Sequence, residues 1–166
     1  HSQMASDYFL KIDGIEGESQ AEGHTKEIEV LSWSWGASNP GSLHYGSGGG
    51  TGKATCQDIN VSYRMNKGSF NVLKFCSNGK HLASAILTAR KTGGDAKPFD
   101  FLTITLTECI ISSYQTGGSG GDDIPIESLS LNFAKVEYDY KVQDESKGTV
   151  SSAGKTTWDL AKTQTS

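Results

Sequence analysis

The stretch Phe99–Ile111, FDFLTITLTECII, decides the fold class. Leu102, Ile104 and Leu106 alternate with Thr103, Thr105 and Thr107, a period of two that puts the apolar set on one face of a β-strand and β-branched hydroxyls on the other. The same alternation spreads outward from it. Upstream, ASAILTARK reads as a strand, DYFLKI carries Tyr8, Leu10 and Ile12 on one side, and DINVSYRM sets Ile59, Val61, Tyr63 and Met65 against Asp58, Asn60, Ser62 and Arg64. KEIEVLSWSWG puts Leu31, Trp33 and Trp35 on a core face and Ser32 and Ser34 opposite, where small hydroxyls suit a smooth wet surface. Downstream, the apolar parity of IESLSLNFAKVEYDYKV shifts from Leu129, Leu131 and Phe133 to Val136, Tyr138 and Tyr140, which predicts a bulge near Ala134. A last short strand is expected around Trp158 and Leu160, after a polar tail from Asp144 to Gly154. One helix interrupts the strands. In GSFNVLKFCSNGK, Ser69 can cap the first amides, Phe70 and Leu73 with Cys76 or Phe75 form the apolar stripe, and Asn78-Gly79 supplies a left-handed stop. Many short strands, frequent glycine turns and one helix predict a mainly β domain closed as a barrel or as two packed sheets.

Composition excludes several functions. The 166 residues suit one domain, taken as residues 4–166, with His1-Ser2-Gln3 ahead of Met4 reading as the remnant of an expression tag. A formal net charge of -4 without charge runs gives no electrostatic footprint for nucleic acid or anionic membrane, and no stretch is long enough to insert in a bilayer. Cys56, Cys76 and Cys109 are an odd number without CxxC or paired Cys/His spacing, so they read as small buried hydrophobes in a reducing cytoplasm. No metal and no cofactor are expected. His24, His44 and His81 sit at separate punctuation points and read as surface or turn residues. The sequence NVS at Asn60 lies mid-strand in a chain without a secretory leader and is discounted for glycosylation.

Two glycine clusters imitate catalytic motifs and fail on chemistry. In GSLHYGSGGGTGKA (residues 41–54), a phosphate loop ending at Gly52-Lys53 needs a glycine where Ser47 stands and a hydroxyl where Ala54 stands, and a strand follows instead of a helix. Gly117–Gly121, GGSGG, matches a nucleophile elbow, but a strand follows Ser119 and no histidine comes later than His81. Asp122-Asp123 and the Glu16/Glu18 pair lie in glycine-rich turns as solvated carboxylates. No catalytic constellation is present in the sequence, and the protein is read as a non-enzyme.

The strings FLKIDGIEGES, KEIEVLSWSWG, GKATCQDI, CSNGKHLASAILTARKTGG and SSYQTGGSGGDD followed by ESLSLNFAKVEYDY, in that order, resemble the haemolysin-coregulated protein (Hcp) family of bacterial type VI secretion systems. The resemblance runs from about Met4 to the C-terminus, and the tail from Lys141 is its least diagnostic part. It implies a barrel of two sheets with a helix on its flank, six copies of which form a ring. Rings then stack into a tube that is sheathed by a contractile coat, tipped by a spike, assembled in the cytoplasm and secreted without a cleavable leader. It also implies that small effector proteins travel in the lumen.

Physical features of the sequence suit that role. A ring needs a head-to-tail contact between two different surfaces, and sheet edges supply them without a large apolar patch. The loop of some twenty residues before DINVSYRM is far beyond hairpin length. Its Ser42, Leu43, His44 and Tyr45, with Lys53, are expected to reach the adjacent ring. Ordering its glycines costs roughly 1–2 kcal/mol per residue, so one loop binds weakly and six bind usefully. Ser32 and Ser34 are expected to face the lumen and the cargo. The rival reading is a monomeric β-sandwich binding module, for instance for carbohydrate, with Trp and Tyr as stacking platforms.

Overall fold

The computed structural model describes residues 5–41, 53–92, 97–144, 146–162 and 164–166. Its elements are β1 (Ala5–Ile12), β2 (Ile28–Ser34), β3 (Ala37–Ser38), β4 (Thr55–Cys56), β5 (Ile59–Arg64), α1 (Ser69–Asn78), β6 (Leu82–Thr92), β7 (Phe99–Gly117), β8 (Ile126–Gln143), β9 (Val150–Asp159) and β10 (Gln164–Thr165). One antiparallel sheet runs β8-β5-β2-β1-β6-β7 and closes when β7 pairs back onto β8, giving the expected barrel with a flanking helix. β9 and β10 extend the sheet beyond the barrel from the far half of β8, while β3 and β4 form a separate ribbon. Residues 1–3, 42–45 and Gly93-Gly94 lie outside the described residues.

The alternation read in the sequence fills the barrel. Leu102, Ile104 and Leu106 are buried with Leu10, Ile28, Ile59, Val61, Tyr63, Leu129, Leu131 and Phe133 in one core cluster. Removing this many β-branched and aliphatic side chains from water is the main stabilising term, at about 25 cal/mol per Å². The parity shift in β8 is real, but it is not a solitary bulge. β7 shifts at the same level, from Leu106 to Cys109, so Leu106 faces Val136 and Cys109 faces Phe133 with register unbroken. Glu108, at φ +53°, absorbs the turn opposite Ala134, and both strands re-aim their inward faces together.

Three residues expected in the core lie outside it. Leu31 is 42% exposed because β2 carries an extra residue between Val30, which faces Tyr63, and Ser32, which faces Ser62. The bulge separates two inward pairs, Ile28 and Val30 before it and Trp33 and Trp35 after it, so strict alternation misassigns the residue between them. Trp33 and Trp35 do pack on the core, edge-on to Tyr8 at 6.0 Å and tilted onto Phe133 at 6.3 Å. On α1, Phe70 and Leu73 are 69% and 53% exposed, and Ser69, Val72 and Phe75 face inward instead. The reason is a polar anchor at the helix start. Ser69 does not cap the helix; Gly68 occupies the N-cap, and the Ser69 hydroxyl donates to buried Glu127 at 2.6 Å, which rotates the helix by one residue from its most apolar orientation. The stop is as expected, with Gly79 left-handed at φ 63° and its amide bonded to the Phe75 carbonyl.

The tail also differs from expectation. The strand begins at Val150 rather than near Trp158, because β8 runs on past the barrel and offers its edge to residues 150–159. Trp158 and Leu160 pack on the core as expected.

Val72→Ala should lower stability by about 2 kcal/mol in urea denaturation, through lost burial and a cavity. Leu73→Ala should stay within about 0.5 kcal/mol of the parent.

Candidate functional site

On the outer face of the barrel, β2, β5, β8 and the far half of β7 lie side by side. Ladder pairing aligns their outward side chains into two rows, Ser34–Asn60–Ser130–Ser113 and Ser32–Ser62–Ser128–Gln115. Asn60 donates from Nδ2 to Ser130 Oγ at 3.1 Å. At the margin, Asp58 accepts from Ser112 Oγ at 2.6 Å and from Asn132 Nδ2 at 2.9 Å, so its carboxylate is tied down at the edge of the face. Ser32 and Ser34 are exposed, as expected, and the structure shows six partners that strand-by-strand reading missed. The signal was present as Asn60/Ser62 and Ser128/Ser130, but only the registers reveal that these pairs share one surface. The rows carry hydroxyls and amides and no formal charge, a surface that holds water loosely and offers no strong anchor to one ligand.

A second feature flanks the long loop. Ala37, Ser38, Asn39, Lys53 and Ala54 border an open cavity of about 430 Å³ whose apolar wall is Trp158 and Leu160. Lys53 is exposed at its rim. Ser42, Leu43, His44 and Tyr45 lie outside the described residues.

Beneath the polar face sits a buried acid. Glu127 is 1% exposed, and takes hydrogen bonds from Ser69 Oγ and the Tyr114 hydroxyl. Burial pushes the Tyr63 hydroxyl well above the ordinary tyrosine range, with the Glu127 charge and Tyr114 adding to it, so this phenol stays protonated. The cluster joins α1, β5, β7 and β8, with Glu127 and Tyr63 buried and Tyr114 partly so. Its role is to fix the helix.

The cysteines are free. Cys109 is buried as expected, whereas Cys56 and Cys76 are half-buried. Among the described residues, no group of three or more His, Cys, Asp or Glu side chains is placed to hold a metal ion. No helix of the described residues is long and apolar enough to cross a membrane.

The model for the Hcp effector family of type VI secretion systems matches residues 9–140. The chain belongs to that family. Protein hcp1 of Pseudomonas aeruginosa is 44% identical over 140 residues, covering 84% of this chain and 86% of the relative. A solved type six secretion system protein aligns with TM-score 0.88 at 31% identity over 98% of this chain and 100% of its own. Hcp1 of Salmonella typhimurium aligns with TM-score 0.76 at 32% identity over 98% and 100%. As an Hcp protein the chain is a secreted tube component of the type VI system, which sets aside the carbohydrate-binding module expected as the rival.

Among the histidines, His81 is exposed, as expected. His24 is not a surface residue. It is 6% exposed, with both ring nitrogens engaged, because the β1–β2 connection folds back over the barrel wall instead of projecting from it.

Burial pushes the Cys109 thiol from 9.0 up to about 11, which leaves roughly a hundredfold less thiolate at a given pH. In the native protein at pH 8, iodoacetamide should therefore alkylate Cys109 at least about tenfold more slowly than in the urea-unfolded chain, as read by peptide mass spectrometry.

Proposed function

We propose that six copies of the chain close into a ring, that rings stack into the tube, and that the serine-and-amide face of β2, β5, β8 and β7 lines the lumen. The observation that carries this reading is the pair of uncharged rows through Ser32 and Ser34. A lumen that must let folded cargo pass and hold it weakly needs hydroxyls and amides, because fixed charges would bind or repel particular proteins strongly. Small effector proteins are the cargo, and the sheath and spike of the secretion system are the outer and terminal partners. The chain acts as scaffold and carrier, without catalysis, from one domain spanning residues 4–166, and rings assemble in the cytoplasm before export.

Ring closure needs two different surfaces on each copy. One is the outer edge of β9. Among the described residues, Val150 to Thr156 pair with β8 alone, so their other edge is open to a neighbouring strand. Tyr138, Tyr140, Val142 and Val150 stand exposed along the same arm and would be covered by that neighbour. The contact between rings falls to residues 42–45 with Lys53, of which Lys53 borders the cavity walled by Trp158 and Leu160.

Light scattering on the purified chain should give a mass near six times the subunit's; a single-chain mass would overturn the ring. Replacing Leu43, His44 and Tyr45 by glycine should leave rings intact and remove stacks in negative-stain images. Ser34→Gln should reduce co-secretion of a small effector by about tenfold while the ring persists, and unaltered retention would remove Ser34 from the lumen.

A further inference from the structure

His24 holds the connection between β1 and β2 against the barrel wall. Phe9 points outward from β1, yet it is only 3% exposed, because the His24 imidazole lies flat on it at 4.5 Å with an interplanar angle of 1°. His24 Nδ1 faces the Glu27 carboxylate at 3.0 and 3.1 Å, and Nε2 faces Asp100 Oδ1 at 2.9 Å. Glu27 stands at the entrance to β2 and Asp100 near the start of β7, so one ring ties the connection to both. From β6, Arg90 lies over the Phe9 ring at 4.9 Å, and it also reaches the Glu22 carbonyl and the Asp7 carboxylate of β1, each at 3.4 Å. Two carboxylates, Glu27 and Asp100, thus face the His24 ring, and a third, Asp7, faces the Arg90 guanidinium that shares Phe9 with it.

Only the imidazolium satisfies this geometry. A neutral imidazole has one N–H and one lone pair, so one of its nitrogens would turn a lone pair toward a carboxylate. The imidazolium donates on both sides. We propose that His24 is a protonation-dependent latch, whose charged form pins residues 17–27 over Phe9 and whose neutral form releases them and uncovers an apolar spot on the outer wall.

The backbone of the connection is consistent with a held conformation. Lys26 sits at φ 64°, a left-handed geometry that costs a non-glycine residue energy. It is kept there by three short-range bonds, Gly17 N to Lys26 O at 2.8 Å, Lys26 N to Ser19 O at 2.8 Å and Ser19 N to Glu27 O at 3.0 Å. Gly17 is a required glycine, since a Cβ there would come within 2.4 Å of the Glu27 carbonyl oxygen. Burial pulls the His24 pKa down, but the hydrogen bonds to Asp100 and Glu27 and their charges outweigh it and leave it raised above the ordinary 6.5. A raised histidine pKa stabilises fully below the unfolded value, and that stabilisation fades as pH rises through the folded value. The latch is therefore closed in mildly acidic solution and opens on the alkaline side.

The test uses the full chain, with the His24 ring followed by NMR and amide protection factors measured across the same pH series. The ring should titrate above 6.5, and protection at Ser19 and Lys26 should fall with it, while Leu10 and Ile104 in the barrel keep theirs. Asp100→Asn, at a partly exposed position, should move the midpoint of both curves to lower pH. His24→Gln should show low protection at Ser19 and Lys26 at every pH with the barrel intact; if it fails to fold, Asp100→Asn carries the same test. Protection at Ser19 and Lys26 that ignores the His24 titration, or coincident curves for the parent and Asp100→Asn, would overturn the latch.

Discussion

The barrel exists because the first half of β8 is hydrogen-bonded on both sides. Residues Ile126 to Leu131 pair with β5 along one edge and with the far half of β7 along the other, which turns a sheet with two open edges into a closed wall. Everything else hangs from that double pairing. It encloses the core, it brings Ser128 and Ser130 beside Asn60 and Ser62, and it commits the second half of β8 to leave the barrel. That second half pairs with β9 on its other edge, while the parity change at Leu106–Cys109 and Phe133–Val136 is shared by β7 and β8 and keeps their inward faces matched. A change on one strand alone would have turned either Leu131 or Val136 toward water.

The buried Glu127 is the clearest place where chemistry overrules apolar pattern. A carboxylate deep in a protein is costly unless its oxygens are met by donors. Here Ser69 and Tyr114 meet them. Satisfying that acid fixes which face of α1 points inward, and it does so at the expense of leaving Phe70 and Leu73 in solvent. An exposed apolar face on a short helix is tolerable on a chain that assembles with copies of itself.

The polar face and the arm built by β9 and the second half of β8 give the surface two different characters. Uncharged rows on β2, β5, β8 and β7 face one way, and the exposed Tyr138, Tyr140, Val142 and Val150 follow the arm where β9 keeps an open edge. Apolar side chains and an open strand edge share one strip and hydroxyls and amides another; under the proposed function the first adheres and the second lets cargo pass. The Hcp family membership gives that separation its meaning.

How much of this was legible follows from the range of the forces. Alternation in FDFLTITLTECII and DINVSYRM is a local property of the strand backbone, so it named these strands, their inward residues and a mainly β domain directly, while the choice between a barrel and two packed sheets waited on the pairing of β7 with β8. Asn78-Gly79 fixed the helix end for the same reason, since a left-handed residue there depends only on its own backbone. Leu31, Phe70 and Leu73 were misplaced because a bulge opposite Tyr63 and a hydrogen bond to Glu127, fifty-eight residues away, are decided by partners the local pattern does not contain. His24 looked like a turn residue because its stacking on Phe9 and its bond to Asp100 exist only once β1 and β7 are on the same wall. The sequence by itself determined which residues must be hidden from water; the tertiary structure alone decided which polar groups they are hidden with, because a buried donor must find its acceptor wherever the closed sheet happens to bring one.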